Sequence, residues 1–197
     1  MIQGAPIAER IGFVVHEPTL WAHYSAVWRE LDPDRFAIVL TERFRPTRIA
    51  GRNPGAAAFV DKANASGYAM VFAREIVRTG QRCKYAVSNH KLGGYSLEPA
   101  NGVMRAASFA SRLGKRAADG ALALARRPAK YGTSGFAPMQ YWPMQVGRHQ
   151  VRFMYGADIG DGWSLAEWNA MYDVFLCHGP NDAHELAKRF RGRTFEI

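Results

Sequence analysis

The sequence has few cysteines and no long apolar run. Its 197 residues include only Cys83 and Cys177, each inside an apolar segment typical of a strand, which predicts two buried thiols and a reducing compartment. No apolar run approaches the ~18 residues of a membrane-spanning helix. The first residues, MIQGAPIAER, also lack the apolar region of a signal peptide. We therefore expect a cytoplasmic protein.

Several nucleotide-binding and catalytic motifs are missing as well. The first apolar run ends in HEPTL and not in a Gly-x-Gly-x-x-Gly turn, and the chain has neither a P-loop nor a Gly-x-Ser-x-Gly elbow. The histidines lie far apart, and no cysteine pair has the spacing of a metal site. These absences disfavour NAD, FAD and metal enzymes, and we expect no cofactor.

The composition that is present indicates a globular protein with an anionic partner. Hydrophobic residues make up 48% of the chain and charged residues 22%, which excludes disordered and fibrous classes. The formal net charge of +9 favours phosphate groups, nucleic acid or an acidic membrane surface as partners. Charge alone does not choose among these three.

Strand-like and helix-like segments alternate along the chain, which predicts a mainly parallel sheet flanked by helices in an α/β, Rossmann-like fold. The predicted strands cover residues 11–16, 35–40, 83–90, 149–155, 172–177 and 194–197. The first predicted helix begins after Thr19, and further helices are predicted at 56–65, 68–80, 164–171 and 181–190. Residues 132–147 are predicted to be a loop. We expect one domain over 1–197, a helical insertion at about 98–147 and a central first strand.

Three of the six histidines, His16, His90 and His178, stand at the carboxyl ends of predicted strands. In an open parallel sheet, ligands lie beyond the carboxyl ends of the strands, where an imidazole suits a general base or an anion contact. After His178, Gly179 and Asn181 stand at a predicted helix start, where free N–H groups hold anions. Hydrogen bonding to loop carbonyls and a plain strand-to-helix turn remain the structural alternatives for these residues.

A basic helical face is predicted within the Ala-rich insertion, formed by Arg105, Arg112, Arg116 and Arg127. This face suits anionic lipid, nucleic acid or plain solvent. Leucines nearby favour a membrane surface among the binding functions. Nucleic acid is disfavoured because no base-stacking pattern or nucleic-acid motif is present.

Four stretches resemble the N-terminal half of CDP-glycerol glycerophosphotransferases, a teichoic-acid-polymerase-like family of two-Rossmann-domain (GT-B) architecture. They read FVVHEPTLWAHYSAVWREL, KYAVSNH, QVRFMYG and NAMYDVFLCHGPNDAHELAKRF. The resemblance implies transfer of a glycerol phosphate or related unit from a CDP-linked donor to a polyol or polysaccharide acceptor of the cell envelope. It also implies a location on the inner face of the cell membrane.

The resemblance supplies expectations for particular residues. His16, His90, Tyr155 and His178 are expected to line the acceptor side of the cleft as catalytic candidates, with Arg152 and Asp158 as further substrate contacts. Tyr155, in the segment MYG, stands where the family commonly has the histidine of a Trp-His-Gly motif. The family binds its donor nucleotide mainly in a C-terminal domain, so we expect this chain to need such a domain for turnover. The alternative is a non-catalytic module that binds an anion or a membrane surface.

Overall fold

The computed structural model describes residues 6–41, 44, 54–88, 143–153, 172–189 and 193–196. The strands are β1 (Ile11–Val15), β2 (Phe36–Leu40), β3 (Met70–Phe72), β4 (Cys83–Ser88), β5 (Gly147–Phe153), β6 (Val174–Cys177) and β7 (Arg193–Glu196). The helices are α1 (Leu20–Glu30), α2 (Pro54–Ala65), α3 (Ala73–Thr79), α4 (Pro143–Val146) and α5 (Pro180–Arg189), with short 3-10 turns at Ile7–Glu9 and Pro33–Arg35.

The strands form a seven-stranded parallel sheet in the order β3-β2-β1-β4-β5-β6-β7. This confirms the predicted α/β, Rossmann-like fold, because the usual dinucleotide-binding order of the Rossmann sheet begins 3-2-1-4. Strand β1 is internal, as its apolar sequence IGFVV predicts for a strand covered on both faces.

The described residues belong to two compact units. The first runs to Ala86 and takes in Val146–Arg148, and the second begins at Val87 and takes in His149 onward. The division therefore falls within β4 and β5. The expectation of a single domain stays a prediction.

The core of the first unit is built from aromatic rings. Helix α1 buries Leu20, Tyr24 and Trp28, which recur at the spacing of one helical face. The Trp28 ring is fully buried, with ring-centroid distances of 5.9 Å to Phe13 and 6.2 Å to Phe36. The pair with Phe13 is edge-to-face and the pair with Phe36 is stacked, and both geometries add to the stabilisation that comes from the buried area of the rings. This cluster fixes α1 over β1 and β2.

The interior of the second unit is more polar. Strand β6 pairs in parallel with both β5 and β7, and α5 packs against β6 and β7. Buried residues here include Phe175 and Leu186 but also Gln150 and Arg152. Polar groups in such positions require hydrogen-bond partners, since burying them otherwise costs free energy.

At two positions the backbone geometry requires glycine. Gly80 ends α3 with a φ of 70°, the left-handed conformation that glycine adopts without strain. Gly147 begins β5 where a Cβ atom would lie 2.5 Å from the backbone nitrogen of Ala86 on β4. Only glycine permits so close an approach of these two backbones.

Several predicted boundaries were wrong. The segment 68–80 was expected to be one helix, but Met70–Phe72 is a strand and only Ala73–Thr79 is helical. Within the expected loop 132–147, Pro143–Val146 is helical and β5 begins at Gly147. Thr19 lies at the N-cap of α1 as expected, but its side chain makes no capping hydrogen bond. The predicted helix at 164–171 lies outside the described residues.

Candidate functional site at the carboxyl end of strand β1

His16 follows β1 directly, at the start of a short connection to α1. Its Nε2 lies 3.7 Å from Oε1 of Glu17, and the side chains are 14% and 47% exposed, respectively. A carboxylate beside an imidazole orients the ring. The arrangement is that of a general base with an acidic neighbour, open to solvent on one side.

The position of His16 in the sheet matches the ligand position of this fold. Ligands of open α/β sheets lie beyond the carboxyl ends of the strands, and His16 comes directly after the carboxyl end of β1. The connection from Glu17 to α1 is tight, with the backbone N–H of Leu20 donating to the carbonyl of Glu17 at 3.2 Å. This hydrogen bond fixes the geometry of the turn that follows His16.

Thr41 is a site residue that the sequence analysis missed. It follows β2 as His16 follows β1, and its backbone N–H donates to the carbonyl oxygen of Val15 at 3.1 Å. The side chain is only 5% exposed, and its Oγ1 has no hydrogen-bond partner among the described residues. The rule that selected the histidines, a polar residue after an apolar strand, would also have selected Thr41 had it been applied to hydroxyls.

Glu17 was also missed, for a different reason. In the sequence it is an ordinary charged residue at a strand-to-helix connection. Only its position directly after His16 suggests that the two side chains interact. The side chains of consecutive residues can point in different directions. The 3.7 Å distance between His16 Nε2 and Glu17 Oε1 is therefore seen only in the structure.

The second unit places His178, Gly179 and Asn181 between β6 and α5. His178 and Asn181 are exposed, and nothing lies within 4 Å of the position that a Gly179 Cβ would occupy. However, the first turn of α5 also contains Asp182, which is only 5% exposed. A carboxylate there already stabilises the helix dipole, so it competes with an incoming anion.

Arg152 lies in β5 and is 3% exposed. Its positive charge acts on the buried Tyr172, whose hydroxyl lies 2.8 Å from Oγ of Ser88. Burial raises the pKa of Tyr172 to about 12, against the opposing effects of the Ser88 hydrogen bond and of Arg152. These groups form a buried polar network in which Tyr172 stays protonated at neutral pH.

Asp173, beside Tyr172, has a structural role. Its Oδ2 accepts a hydrogen bond from the backbone N–H of Gln150 at 2.8 Å, and its own N–H donates to the Gln150 carbonyl at 2.8 Å. Its carbonyl accepts from the N–H of Arg193, also at 2.8 Å. Asp173 therefore ties the start of β6 to the middle of β5 and to the start of β7.

The remaining predicted site residues lie outside the described part of the chain. They are His90, Tyr155 and Asp158, together with the four arginines of the predicted basic face, Arg105, Arg112, Arg116 and Arg127.

The cysteines are buried free thiols, as predicted. Burial raises the pKa of Cys83 to about 12, which leaves the thiol unreactive at neutral pH. Within the described ranges, no group of three His, Cys, Asp or Glu side chains could hold a metal ion. No helix among the described residues is long and apolar enough to cross a membrane.

Comparison with known proteins yields no relative. No family model matches the chain, and no curated protein or solved structure is similar to it at a significant level. The site geometry and the fold are therefore the grounds for a functional proposal.

Proposed function

We propose that the chain is the acceptor-side domain of a transferase similar to the CDP-glycerol glycerophosphotransferases. The observation that carries this proposal is the position of His16 after β1, with its imidazole 3.7 Å from the Glu17 carboxylate. The seven-stranded Rossmann-like order adds support, because it makes the carboxyl end of β1 the ligand-binding edge.

In the proposed reaction, His16 takes the proton of an acceptor hydroxyl. The acceptor oxygen then attacks the donor phosphorus that carries the glycerol unit, a new O–P bond forms, and the bond from that phosphorus to the CMP oxygen breaks. The imidazolium that results is stabilised by Glu17. In this proposal a further domain binds the donor nucleotide, as in the family that the chain resembles. The chain alone is therefore expected to bind the acceptor but not to complete the transfer.

An acceptor-binding experiment tests this proposal. The probe is a synthetic trimer of glycerol phosphate, titrated into the full chain by isothermal titration calorimetry. His16→Asn removes the base and is expected to weaken binding roughly tenfold, the size of one charge-assisted hydrogen bond. His184→Asn is the matched control, since His184 is exposed on α5. Absence of trimer binding, or equal weakening in both variants, would refute the proposal.

An anionic membrane surface is proposed as a second partner on the basis of the net charge of +9. Flotation with vesicles containing phosphatidylglycerol tests it. Replacement of Arg105, Arg112, Arg116 and Arg127 by Glu is expected to release the protein from the vesicles. Unchanged flotation would remove this partner.

A further inference from the structure

We infer that Thr41 contacts the ligand at the carboxyl end of β1, and that His16 and Thr41 together receive adjacent hydroxyl groups of a polyol. This inference rests on the proposed function, which it deepens by naming a second binding residue and the ligand group that it recognises. It comes from the hydrogen bonding of Thr41 and from its place in the sheet.

The register of β1 and β2 makes Thr41 the neighbour of His16. Val15 is the partner of Leu40, and each is followed by the residue of interest on its own strand. The hydrogen bond from the Thr41 N–H to the Val15 carbonyl continues the pairing by one step beyond the strands. Neighbouring parallel strands lie about 4.8 Å apart, a separation that two adjacent hydroxyls of one small molecule can bridge.

The backbone of Thr41 is fully paired, whereas its side chain is not. The N–H donates to Val15, and the carbonyl accepts from the N–H of Phe44 at 3.1 Å. The hydroxyl is buried and has no partner among the described residues. Folded proteins pair nearly all of their buried polar groups, so an orphaned hydroxyl at a ligand-binding edge calls for a specific explanation.

Another buried hydroxyl of the chain shows the usual outcome. Ser88 at the end of β4 is as deeply buried as Thr41, and its Oγ pairs with the Tyr172 hydroxyl at 2.8 Å. At Ser88 the fold itself supplies the partner. At Thr41 the partner is supplied by the ligand.

The ligand group is a neutral hydroxyl and not a phosphate. Glu17 places a half-exposed carboxylate 3.7 Å from His16, and this negative charge opposes an anion at the same edge. A threonine hydroxyl donates one hydrogen bond and accepts others, which suits a ligand hydroxyl with the same capacity. A polyol with hydroxyls on adjacent carbons satisfies His16 with one group and Thr41 with the other.

The test compares Thr41→Val with Thr41→Ser, using the glycerol phosphate trimer and the same trimer with its terminal hydroxyls capped as methyl ethers. Valine removes the hydroxyl and nearly preserves shape, while serine keeps the hydroxyl. Thr41→Val is expected to weaken binding of the free trimer roughly three- to tenfold and to leave the melting temperature unchanged or raised. Thr41→Ser is expected to bind within about twofold of the parent.

Each other outcome overturns the inference and has its own meaning. If Thr41→Val binds as tightly as the parent while His16→Asn binds weakly, Thr41 is not a ligand contact and the proposed function stands. If the parent binds the capped and free trimers equally, the site recognises phosphate and not hydroxyl. If the parent binds neither trimer, the proposed function fails together with the inference. If Thr41→Val lowers the melting temperature and Thr41→Ser does not restore binding, the threonine is structural.

Discussion

The interiors of the two units differ in how they treat polar groups. In the first unit, rings of Phe13, Trp28, Phe36 and Phe59 fill the space between the sheet and its helices. In the second unit, hydroxyl and guanidinium groups of Tyr172 and Arg152 lie inside the fold, and Tyr172 is hydrogen-bonded to Ser88. The first unit also buries one guanidinium, that of Arg10, whose Nη1 donates to the Phe36 carbonyl oxygen at 3.3 Å. The contrast therefore lies between the aromatic packing of the first unit and the buried hydroxyl pair of the second.

The largest expected effect comes from removing a ring of the aromatic core in the first unit. Trp28→Ala removes a fully buried ring that packs against Phe36 and Tyr68, and it is expected to destabilise the protein by about 3–5 kcal/mol. Chemical denaturation measures the change. Phe195→Ala is the control, since that ring is 51% exposed and its loss is expected to cost less than about 1 kcal/mol. Equal losses would show that the ring cluster does not stabilise the first unit.

The next effect concerns the approach of β4 and β5. Gly147→Ala places a methyl group against the Ala86 backbone nitrogen and is expected to cost about 1–3 kcal/mol through forced separation of the strands. Gly179→Ala is the control, because nothing lies within 4 Å of its added methyl. A thermal melt of both variants settles the difference. A Gly147→Ala variant as stable as the parent would mean that the two strands are not in close contact.

The polar interior is broken by removing one hydroxyl. Tyr172→Phe leaves the buried Ser88 hydroxyl without its partner, and we expect a loss of about 1–2 kcal/mol in urea denaturation. The double variant Tyr172→Phe with Ser88→Ala removes both partners and is expected to recover part of that loss. If the loss in the double variant equals the sum of the losses in Tyr172→Phe and Ser88→Ala, the two hydroxyls do not act as a pair.

The last effect appears at alkaline pH and sharpens the comparison, because each unit contains a buried acid whose pKa is raised to about 12. Burial raises the pKa of Cys83 from 9.0 to about 12 and that of Tyr172 from 10.0 to about 12. Each group ionises more readily when unfolded, so its contribution is fully present below its ordinary pKa and is lost as pH rises toward 12. Stability is therefore expected to fall from pH 9 upward.

Variants separate the two contributions in urea denaturation between pH 8 and pH 11. Tyr172→Phe is expected to flatten the fall above pH 10, and Cys83→Ala the fall that begins near pH 9. Identical pH profiles for parent and variants would contradict the assignment of these groups.

Much of the fold was readable in the sequence because its strands are continuous apolar runs. IGFVV and FAIVL were recognised within one residue of their bounds, since strands buried on both faces contain little else. Strand β3 was missed because it has only three residues and because Phe72 and Ile76 stand one helical turn apart. The start of β5 was placed two residues late, at His149, because Gly147 reads as a loop residue and Arg148 is charged and exposed.

The candidate site was only partly readable. His16 was found because histidine is distinctive chemically and follows an apolar strand. Thr41 occupies the equivalent place on the next strand, but threonine is common in strands and its burial without a partner depends on the packing around it. Arg152 was predicted as a substrate contact, and the sequence could not show that it lies 3% exposed beside Tyr172.

Strand β7 has a consequence for association at high concentration. It is the last strand of the sheet, so one side of its backbone has no strand partner within the described part of the chain. An open sheet edge with an exposed ring, here Phe195, offers a template for strand addition by another chain. The short length of β7, four residues, and the exposed Arg193 limit this strand addition. A charged residue in place of Phe195 would limit it further and keep concentrated samples monodisperse.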